Sequence, residues 1–231
     1  MILTAHQPCY LPWLGFFNKV ALSDVFCFFD IVQYQRKDFN NRNKIVYNNE
    51  IKWLTIPVND SGRFNTQISQ IEISGQNWKK KHLKTIYFAY KKTKFFENYY
   101  SSLKKIIEQD FKHLVDLNFE LIIFFLECLK IKTKVLKASE YNFSGTKSEL
   151  VLDMCKKLNA KTYIFGSQGK NYANKKDFEK NNIKIIFQEY KHPNYTQNSK
   201  KFISNLSILD LLFNEGEKSK EILMQNNNKI F

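Results

Sequence analysis

The chain opens with two apolar runs separated by an amphipathic segment. Residues 1–5 form a short, mainly apolar start that predicts a buried strand, and residues 25–29 are continuously apolar, which is typical of strands buried on both faces of a parallel sheet. Between them, Pro12 lies where the first turn of a helix over residues 13–22 is predicted. The order strand, helix, strand predicts a right-handed βαβ unit.

The C-terminal third again alternates between apolar runs and amphipathic segments. The pattern predicts a strand over residues 134–141, a helix over 150–158 with its approach at 144–149, a strand over 162–165, a short helix over 175–180, a strand over 183–187 and a closing helix over 208–214. Alternation at both ends of the chain predicts an α/β fold of three layers around a mostly parallel sheet.

The middle of the chain has a different pattern. Residues 44–47 and 51–56 flank Asn48 and Asn49, which predicts a β-hairpin with Asn at positive φ. From about residue 78 to 130 the pattern predicts two or three helices with Lys on one side. We therefore expect one domain over residues 1–231, with a basic helical insertion or subdomain in that segment.

The net charge of +14 allows two interpretations. Lysines spread along the chain fit a solvated surface, whereas a positive field would attract a polyanion such as nucleic acid or a nucleotide. Arg36, Arg42 and Arg63 are the only arginines and fall in one stretch. Arginine binds carboxylate or phosphate in a bidentate manner, so this stretch indicates an anion site.

The cysteines and the hydropathy indicate the compartment. The four cysteines have no C-x-x-C spacing and lie mostly in apolar surroundings, which predicts free buried thiols in a reducing cytoplasm. The start has no signal-peptide pattern, and the most apolar stretch, 117–129, contains Glu120 and Glu127 and is too short to cross a bilayer. We expect a soluble cytoplasmic protein that does not insert into membranes. No spacing predicts a metal site.

Three polar segments directly follow predicted strands. They are His6-Gln7-Pro8, residues 30–43 and residues 166–172. Because ligands of open α/β sheets gather outside the carboxyl ends of the strands, these segments predict a ligand site. His6 could serve there as a general base or could only tie the turn to a backbone carbonyl, and Gln7 adds an amide donor. Cys9 is a weaker candidate, as a nucleophile.

The segment 30–43 combines amides with a guanidinium. Asp30, Gln33, Tyr34, Arg42 and Asn43 are its candidate site residues. The mixture favours recognition of a sugar or a nucleotide phosphate, although a loop so polar could also be simply exposed to solvent.

The segment 166–172 could let backbone amides approach a phosphate. Gly166, Ser167, Gly169 and Tyr172 are its candidate residues, but it matches neither a P-loop nor a dinucleotide fingerprint. An ordinary turn between secondary-structure elements is the alternative.

Several of these segments together resemble the WbqC-like family. The matching stretches are residues 6–19, 30–34, 39–43, 53–58, 166–172, 195–197 and 206–216. The resemblance implies a bacterial α/β protein of surface-polysaccharide biosynthesis, of the O-antigen or lipopolysaccharide type. It further implies a transferase that moves an acyl or aminoacyl group, such as glycyl, onto a nucleotide-linked amino sugar.

The resemblance also implies roles for individual residues. His6 would be the base for the sugar amine, with Gln7 and Asp30 completing the catalytic set, and Arg42 and nearby donors would hold the diphosphate. The substrate-binding set is then Gln33, Tyr34, Arg42, Asn43, Gly166, Ser167, Gly169, Tyr172 and Tyr195. The residues imply no cofactor. The acyl donor would be an aminoacyl-tRNA, or ATP together with an amino acid.

Two alternatives belong to other functional classes. The chain could be a nucleic-acid-binding accessory protein that uses its basic helices, or a non-catalytic member of a polysaccharide assembly complex. The strand-His-helix opening is also similar to nucleotidyltransferases with an H-x-G-H signature. Cys9 stands at the position of their second histidine, so the signature for adenylation is incomplete.

Overall fold

The computed structural model describes residues 1–60 and 66–225. Its strands are, in chain order, β1 (Ile2–His6), β2 (Val25–Phe28), β3 (Arg42–Tyr47), β4 (Glu50–Thr55), β5 (Val58–Asn59), β6 (Glu72–Ile73), β7 (Lys134–Lys137), β8 (Thr162–Phe165) and β9 (Lys184–Phe187). Its α-helices are α1 (Leu14–Ala21), α2 (Asn77–Tyr90), α3 (Phe96–Glu108), α4 (Leu114–Cys128), α5 (Lys147–Lys157), α6 (Lys175–Lys180), α7 (Ile208–Glu215) and α8 (Ser219–Met224).

A five-stranded sheet organises the molecule. Its order is β7-β2-β1-β8-β9, and all neighbouring strands are parallel. The chain builds outward from β1 through β2 to β7 and then returns to the other side of β1 with β8. The predicted βαβ opening and the mostly parallel sheet are confirmed. The reversal between β1 and β8 is a topological switch point, where open α/β sheets bind ligands.

The sheet separates two hydrophobic cores. On one face, Leu3, Cys27 and Phe165 pack against residues of α5 and α6. On the other face, Phe28 of β2 meets Phe119 of α4 at a centroid distance of 5.2 Å. Because consecutive residues of a strand point to opposite faces, β2 and β7 contribute residues to both cores. The predicted three-layer α/β fold is therefore confirmed.

The middle of the chain joins the larger of these cores. The predicted hairpin is β3-β4, and its turn has Asn48 and Asn49 at φ of 52° and 65°. The basic stretch forms the three helices α2, α3 and α4, as predicted. Their apolar faces share one core with α1 and α7, so these helices form an integral part of that layer.

The strand predicted over residues 134–141 is shorter than expected. It ends at Lys137, and Ala138–Glu140 forms a 3-10 turn instead. The reason lies in Asp30, whose Oδ1 accepts the backbone N–H of Ser139 at 2.9 Å and whose Oδ2 accepts its hydroxyl at 2.6 Å. These bonds satisfy a donor that would otherwise have to pair within the sheet.

None of the helices formed by the described residues has the length and apolar character needed to cross a membrane.

Candidate functional site

A cavity of about 960 Å³ opens at the switch point. Its walls come from the carboxyl ends of β1 and β8, from α1, and from the loops after β2 and β9. We call it the switch-point cavity. Its volume is in the range of small-molecule sites. Of the residues predicted from sequence, the following line it: His6, Gln7, Cys9, Gln33, Gly166, Ser167, Gly169 and Tyr172.

The His6 ring is fixed on the cavity wall. Nδ1 lies 2.8 Å from the carbonyl oxygen of Gln7, and the ring packs edge-to-face against Trp13 and Phe16 at 5.6 and 5.1 Å. With Nδ1–H as the donor in this bond, Nε2 carries the lone pair. The ring thus ties the turn to a carbonyl, which was one of the two sequence-based interpretations, and it also lines the cavity.

His6 is neutral at physiological pH. Burial lowers the pKa of His6 to about 3, and the positive charge of Lys19 lowers it further. The ring therefore presents a hydrogen-bond acceptor to a ligand and does not present a positive charge.

Cys9 lacks the lowered thiol pKa of an activated nucleophile. Its Sγ lies 3.6 Å from His6 Nδ1 and 3.5 Å from the carbonyl oxygen of Gln7. Burial raises the pKa of the Cys9 thiol far above its ordinary value, and the nearby Asp38 charge adds to the increase. The thiol stays protonated, whereas nucleophilic attack requires a thiolate.

Lys19 is a lining residue that sequence analysis missed. It extends from α1 and is only 3% exposed, and its Nζ donates to the Ala5 carbonyl at 2.9 Å. Burial lowers the pKa of Lys19 to about 8, so the amine is still mostly protonated at neutral pH. The sequence contained a signal, because Lys19 lies in the run Phe17-Asn18-Lys19-Val20 of the predicted helix, one residue before Val20 and two after Phe17.

Asp38 was also missed as a lining residue. Its Oδ1 accepts the backbone N–H of Phe39 at 2.8 Å, and its Oδ2 lies 3.5 Å from Nε2 of Gln7. Glu189, at the mouth, pairs with Lys170 at 2.5 Å. The cavity therefore carries a carboxylate on the Gln7 side and the buried ammonium of Lys19 on α1.

The turn after β8 adds two glycines with different reasons for being glycine. A Cβ on Gly169 would lie 2.5 Å from the Cβ of Phe165, so close packing requires glycine there. Gly166 has φ −70° and ψ 174°, an extended conformation that any residue adopts. Its Cα faces open space toward Lys19, and Tyr172 forms a partly exposed wall nearby.

The amides of the segment 30–43 hold the backbone of the His6 turn. Nδ2 of Asn40 donates to the Pro8 carbonyl, and Nδ2 of Asn43 donates to the Leu11 carbonyl, each at 2.7 Å. Prolines in this turn prevent regular pairing, so buried carbonyls need side-chain donors. Asn43 and Asp30 do not line the cavity, and their polar atoms are used in these framework bonds.

Three further predicted binding residues lie away from the cavity lining. Tyr34 is buried in the larger core, and Arg42 donates to the Lys37 carbonyl and stacks over Trp53 at 4.6 Å. The hydroxyl of Tyr195 donates to Asp210. Of the three arginines of the predicted anion site, the two described ones, Arg36 and Arg42, do not line the cavity, and Arg36 pairs with Asp60 at 2.8 Å. Arg63 lies outside the described residues.

The Asp210 carboxylate is the centre of a second buried polar group, which we call the Asp210 cluster. Oδ1 accepts the hydroxyl of Tyr90 at 3.0 Å, and Oδ2 accepts the hydroxyl of Tyr195 at 2.9 Å and Nε2 of Gln197 at 2.8 Å. Burial raises the pKa of Asp210 to about 6, although these three donors act in the opposite direction.

Comparison with known proteins identifies the family. The model of the WbqC-like protein family matches residues 7–222, nearly the whole chain. The chain is 31% identical over 219 residues to "Uncharacterized protein Rv1507c" of Mycobacterium tuberculosis, an alignment that covers 94% of this chain and 95% of that protein. No solved structure gives a significant match. The chain belongs to the WbqC-like protein family.

Proposed function

We propose that this protein is an enzyme of bacterial surface-polysaccharide biosynthesis that transfers an acyl or aminoacyl group to the amine of a nucleotide-linked amino sugar. The observation that carries the proposal is the state of His6. A neutral imidazole, fixed through Nδ1–H, lines the cavity at the switch point of a parallel sheet. Its Nε2 lone pair is the kind of group that accepts a proton from an attacking amine.

In this reaction the sugar nitrogen forms a bond to the carbonyl carbon of an activated acyl group. The bond between that carbon and the donor oxygen breaks, and the oxygen leaves with the electron pair. The amine proton passes to Nε2 of His6 and from there to the leaving oxygen. The donor is an acyl ester or an acyl phosphate, such as an aminoacyl-tRNA or the product of ATP and an amino acid.

The cavity wall has one candidate partner for the amine before it attacks and another for the nitrogen after it has attacked. The low pKa of His6 makes it a weak base for a free ammonium ion, but the nitrogen becomes strongly acidic once it has attacked the carbonyl. Asp38, on the Gln7 side, offers a carboxylate for the amine before attack. His6 is therefore needed at the bond-forming step more than for binding.

The direct test is a transfer assay. UDP- and dTDP-linked amino sugars are incubated with glycine, ATP and glycyl-tRNA, and the product is identified by the mass of an added glycyl group. His6→Gln should lower the turnover rate by about 100-fold or more, since general-base groups contribute at least that much. His113→Gln is the matched control, because His113 lies outside the cavity beside Asp116 at 3.7 Å. Equal rates for His6→Gln and wild type would refute the proposal.

Nucleic-acid binding is the second candidate, and a surface of α2 favours it. Tyr87 and Phe88 are 39% and 45% exposed, and Nζ of Lys91 lies 5.3 and 4.9 Å from their ring centroids. Exposed aromatic rings beside lysines are typical of single-strand binding. Under this candidate, tRNA binding weakens steeply with salt and depends on Lys91, and His6→Gln leaves it unchanged.

A further inference from the structure

Lys19 is a buried cation without a buried anion. Its ammonium has three N–H donors, and within residues 1–60 and 66–225 its hydrogen bonding is limited to the Ala5 carbonyl. No carboxylate of those residues lies within ion-pair distance of Nζ. An unpaired charge in a protein interior is costly, and such charges are normally paired or bound to a ligand.

The bond to the Ala5 carbonyl explains only in part why a lysine is buried at position 19. The pairing of β1 with β8 ends at Thr4 and Ile164, whereas β1 continues beside β2 as far as His6 and Phe28. The two strands on either side of the switch point therefore separate at Ala5. Lys19 satisfies the Ala5 carbonyl, but a neutral donor would do this at lower cost, and two N–H donors remain.

Gly166 keeps the way to the amine open. Its backbone conformation is accessible to every residue, so no positive φ requires glycine. Among the described residues other than its chain neighbours Phe165 and Ser167, a Cβ built on Gly166 would have one heavy atom within 4 Å, the Nζ of Lys19 at 3.9 Å. A larger side chain would grow into the space beside the ammonium. Glycine at this position is explained by access to Lys19.

We infer that Lys19 and Gly166 form an oxyanion-binding subsite at the switch point, and that it takes the diphosphate of a nucleotide. The inference rests on the proposed function for the nucleotide, because a nucleotide-linked sugar carries a diphosphate. A cavity of about 960 Å³ holds a ligand of that size. The carboxylate of an amino acid is the other source of an oxyanion, and the experiment separates the two.

The probes are UDP, inorganic pyrophosphate and glycine, each titrated calorimetrically into wild-type protein and variants. Wild type should bind UDP and pyrophosphate. Lys19→Met keeps the side-chain length without the charge and should weaken UDP binding by at least about thirtyfold, since removing one partner of a buried charge pair has effects of that order. Gly166→Val should weaken it comparably while leaving Lys19 in place, and Gly166→Ala should have a smaller effect.

Lys104→Met is the matched control for charge. Lys104 is half-exposed on α3, where it pairs with Glu108, and it does not line the cavity. The variant has the same net charge as Lys19→Met and should bind UDP as wild type does. An equal loss of UDP affinity in Lys19→Met and Lys104→Met would mean that UDP responds only to the net charge of the protein, and it would overturn the subsite.

Other results also decide the matter. UDP binding that survives in both Lys19→Met and Gly166→Val overturns the inference, as does a wild type that binds none of the probes. Glycine binding that depends on Lys19, without pyrophosphate binding, overturns the assignment to phosphate. Lys19-dependent UDP binding in a protein that transfers no acyl group would support the subsite and refute the proposed function, so the two claims fail separately.

Discussion

The Asp210 cluster and the switch-point cavity are both buried polar regions, but they differ in completeness. The Asp210 carboxylate accepts three hydrogen bonds from Tyr90, Tyr195 and Gln197. Lys19 makes one hydrogen bond, within the described chain, and lies beside a cavity. A polar group whose partners are all supplied by the protein stabilises the fold, whereas a group left incomplete at a cavity is available to a ligand.

The largest expected effect is a loss of stability when the Asp210 cluster is disrupted. Asp210→Ala leaves two tyrosine hydroxyls without their acceptor in the interior and removes one of the acceptors of the Gln197 amide. It should lower the free energy of unfolding by about 3–5 kcal/mol. Urea denaturation measures this, and Asp210→Asn, which keeps the shape and one acceptor, should lose less. A loss below about 1 kcal/mol in Asp210→Ala would show that the cluster does not stabilise the fold.

The pH dependence of stability should have opposite signs in the two regions. The pKa of His6 is lowered to about 3 in the folded protein, so the unfolded chain takes up this proton first as the pH falls below 6.5, and stability is lost. The pKa of Asp210 is raised to about 6, so its contribution is present at pH values below 3.8 and is lost as the pH rises through 6.

Variants separate these two contributions between pH 6 and pH 4. His6→Gln should make the fall in stability with decreasing pH shallower by about 1.4 kcal/mol per pH unit, and Asp210→Asn should make it steeper. Denaturant curves at several pH values check both. Parallel curves for His6→Gln and wild type would mean that His6 titrates normally in the folded protein.

Ligand binding should depend on the protonation of Lys19. The pKa of Lys19 is lowered to about 8, so UDP affinity should fall by about tenfold per pH unit above that value. His6 and Cys9, the titratable neighbours on the β1 side, keep their protonation states there, because burial lowers the pKa of His6 and raises that of Cys9. Calorimetric titrations at pH 7 to 10 measure the effect, and a flat profile would exclude Lys19 as the binding cation.

The smallest expected effect is the change in stability when Lys19, at the switch-point cavity, is replaced. Lys19→Met removes a buried charge, and this relief should offset the lost bond to Ala5. We expect a free energy of unfolding that is unchanged or higher by up to about 1 kcal/mol, in contrast to Asp210→Ala. Thermal and urea unfolding measure it. A decrease of more than about 2 kcal/mol would make Lys19 a structural residue.

The sequence was sufficient for the architecture because apolar runs report burial directly. The parallel strands, the hairpin with Asn48 and Asn49, and the three-layer arrangement all follow from periodicity and turn chemistry. The strand-end rule also located His6 and Gly166 on one cavity. The predicted end of the strand at residue 141 was wrong. The strand ends earlier because Asp30, more than a hundred residues away, binds the turn that follows it.

The site residues were harder to predict because ligand binding and backbone support use the same side chains. Asn43 and Asp30 had the chemistry of recognition, but they bond to the Leu11 carbonyl and to Ser139. Only tertiary structure shows which buried backbone groups need a partner. Lys19 was missed because a single lysine on an amphipathic helix is normally exposed, and only the tertiary structure shows that this one is buried.

The most direct test of this account is one titration paired with one unfolding curve. A UDP-linked amino sugar is titrated into wild type, Lys19→Met and Asp210→Asn, and the stability of each protein is measured in the same buffer. The account predicts that Lys19→Met loses affinity at unchanged stability, and that Asp210→Asn loses stability at unchanged affinity. Affinity retained in Lys19→Met, or lost equally in both variants, would contradict the assignment of the switch-point cavity as the ligand site.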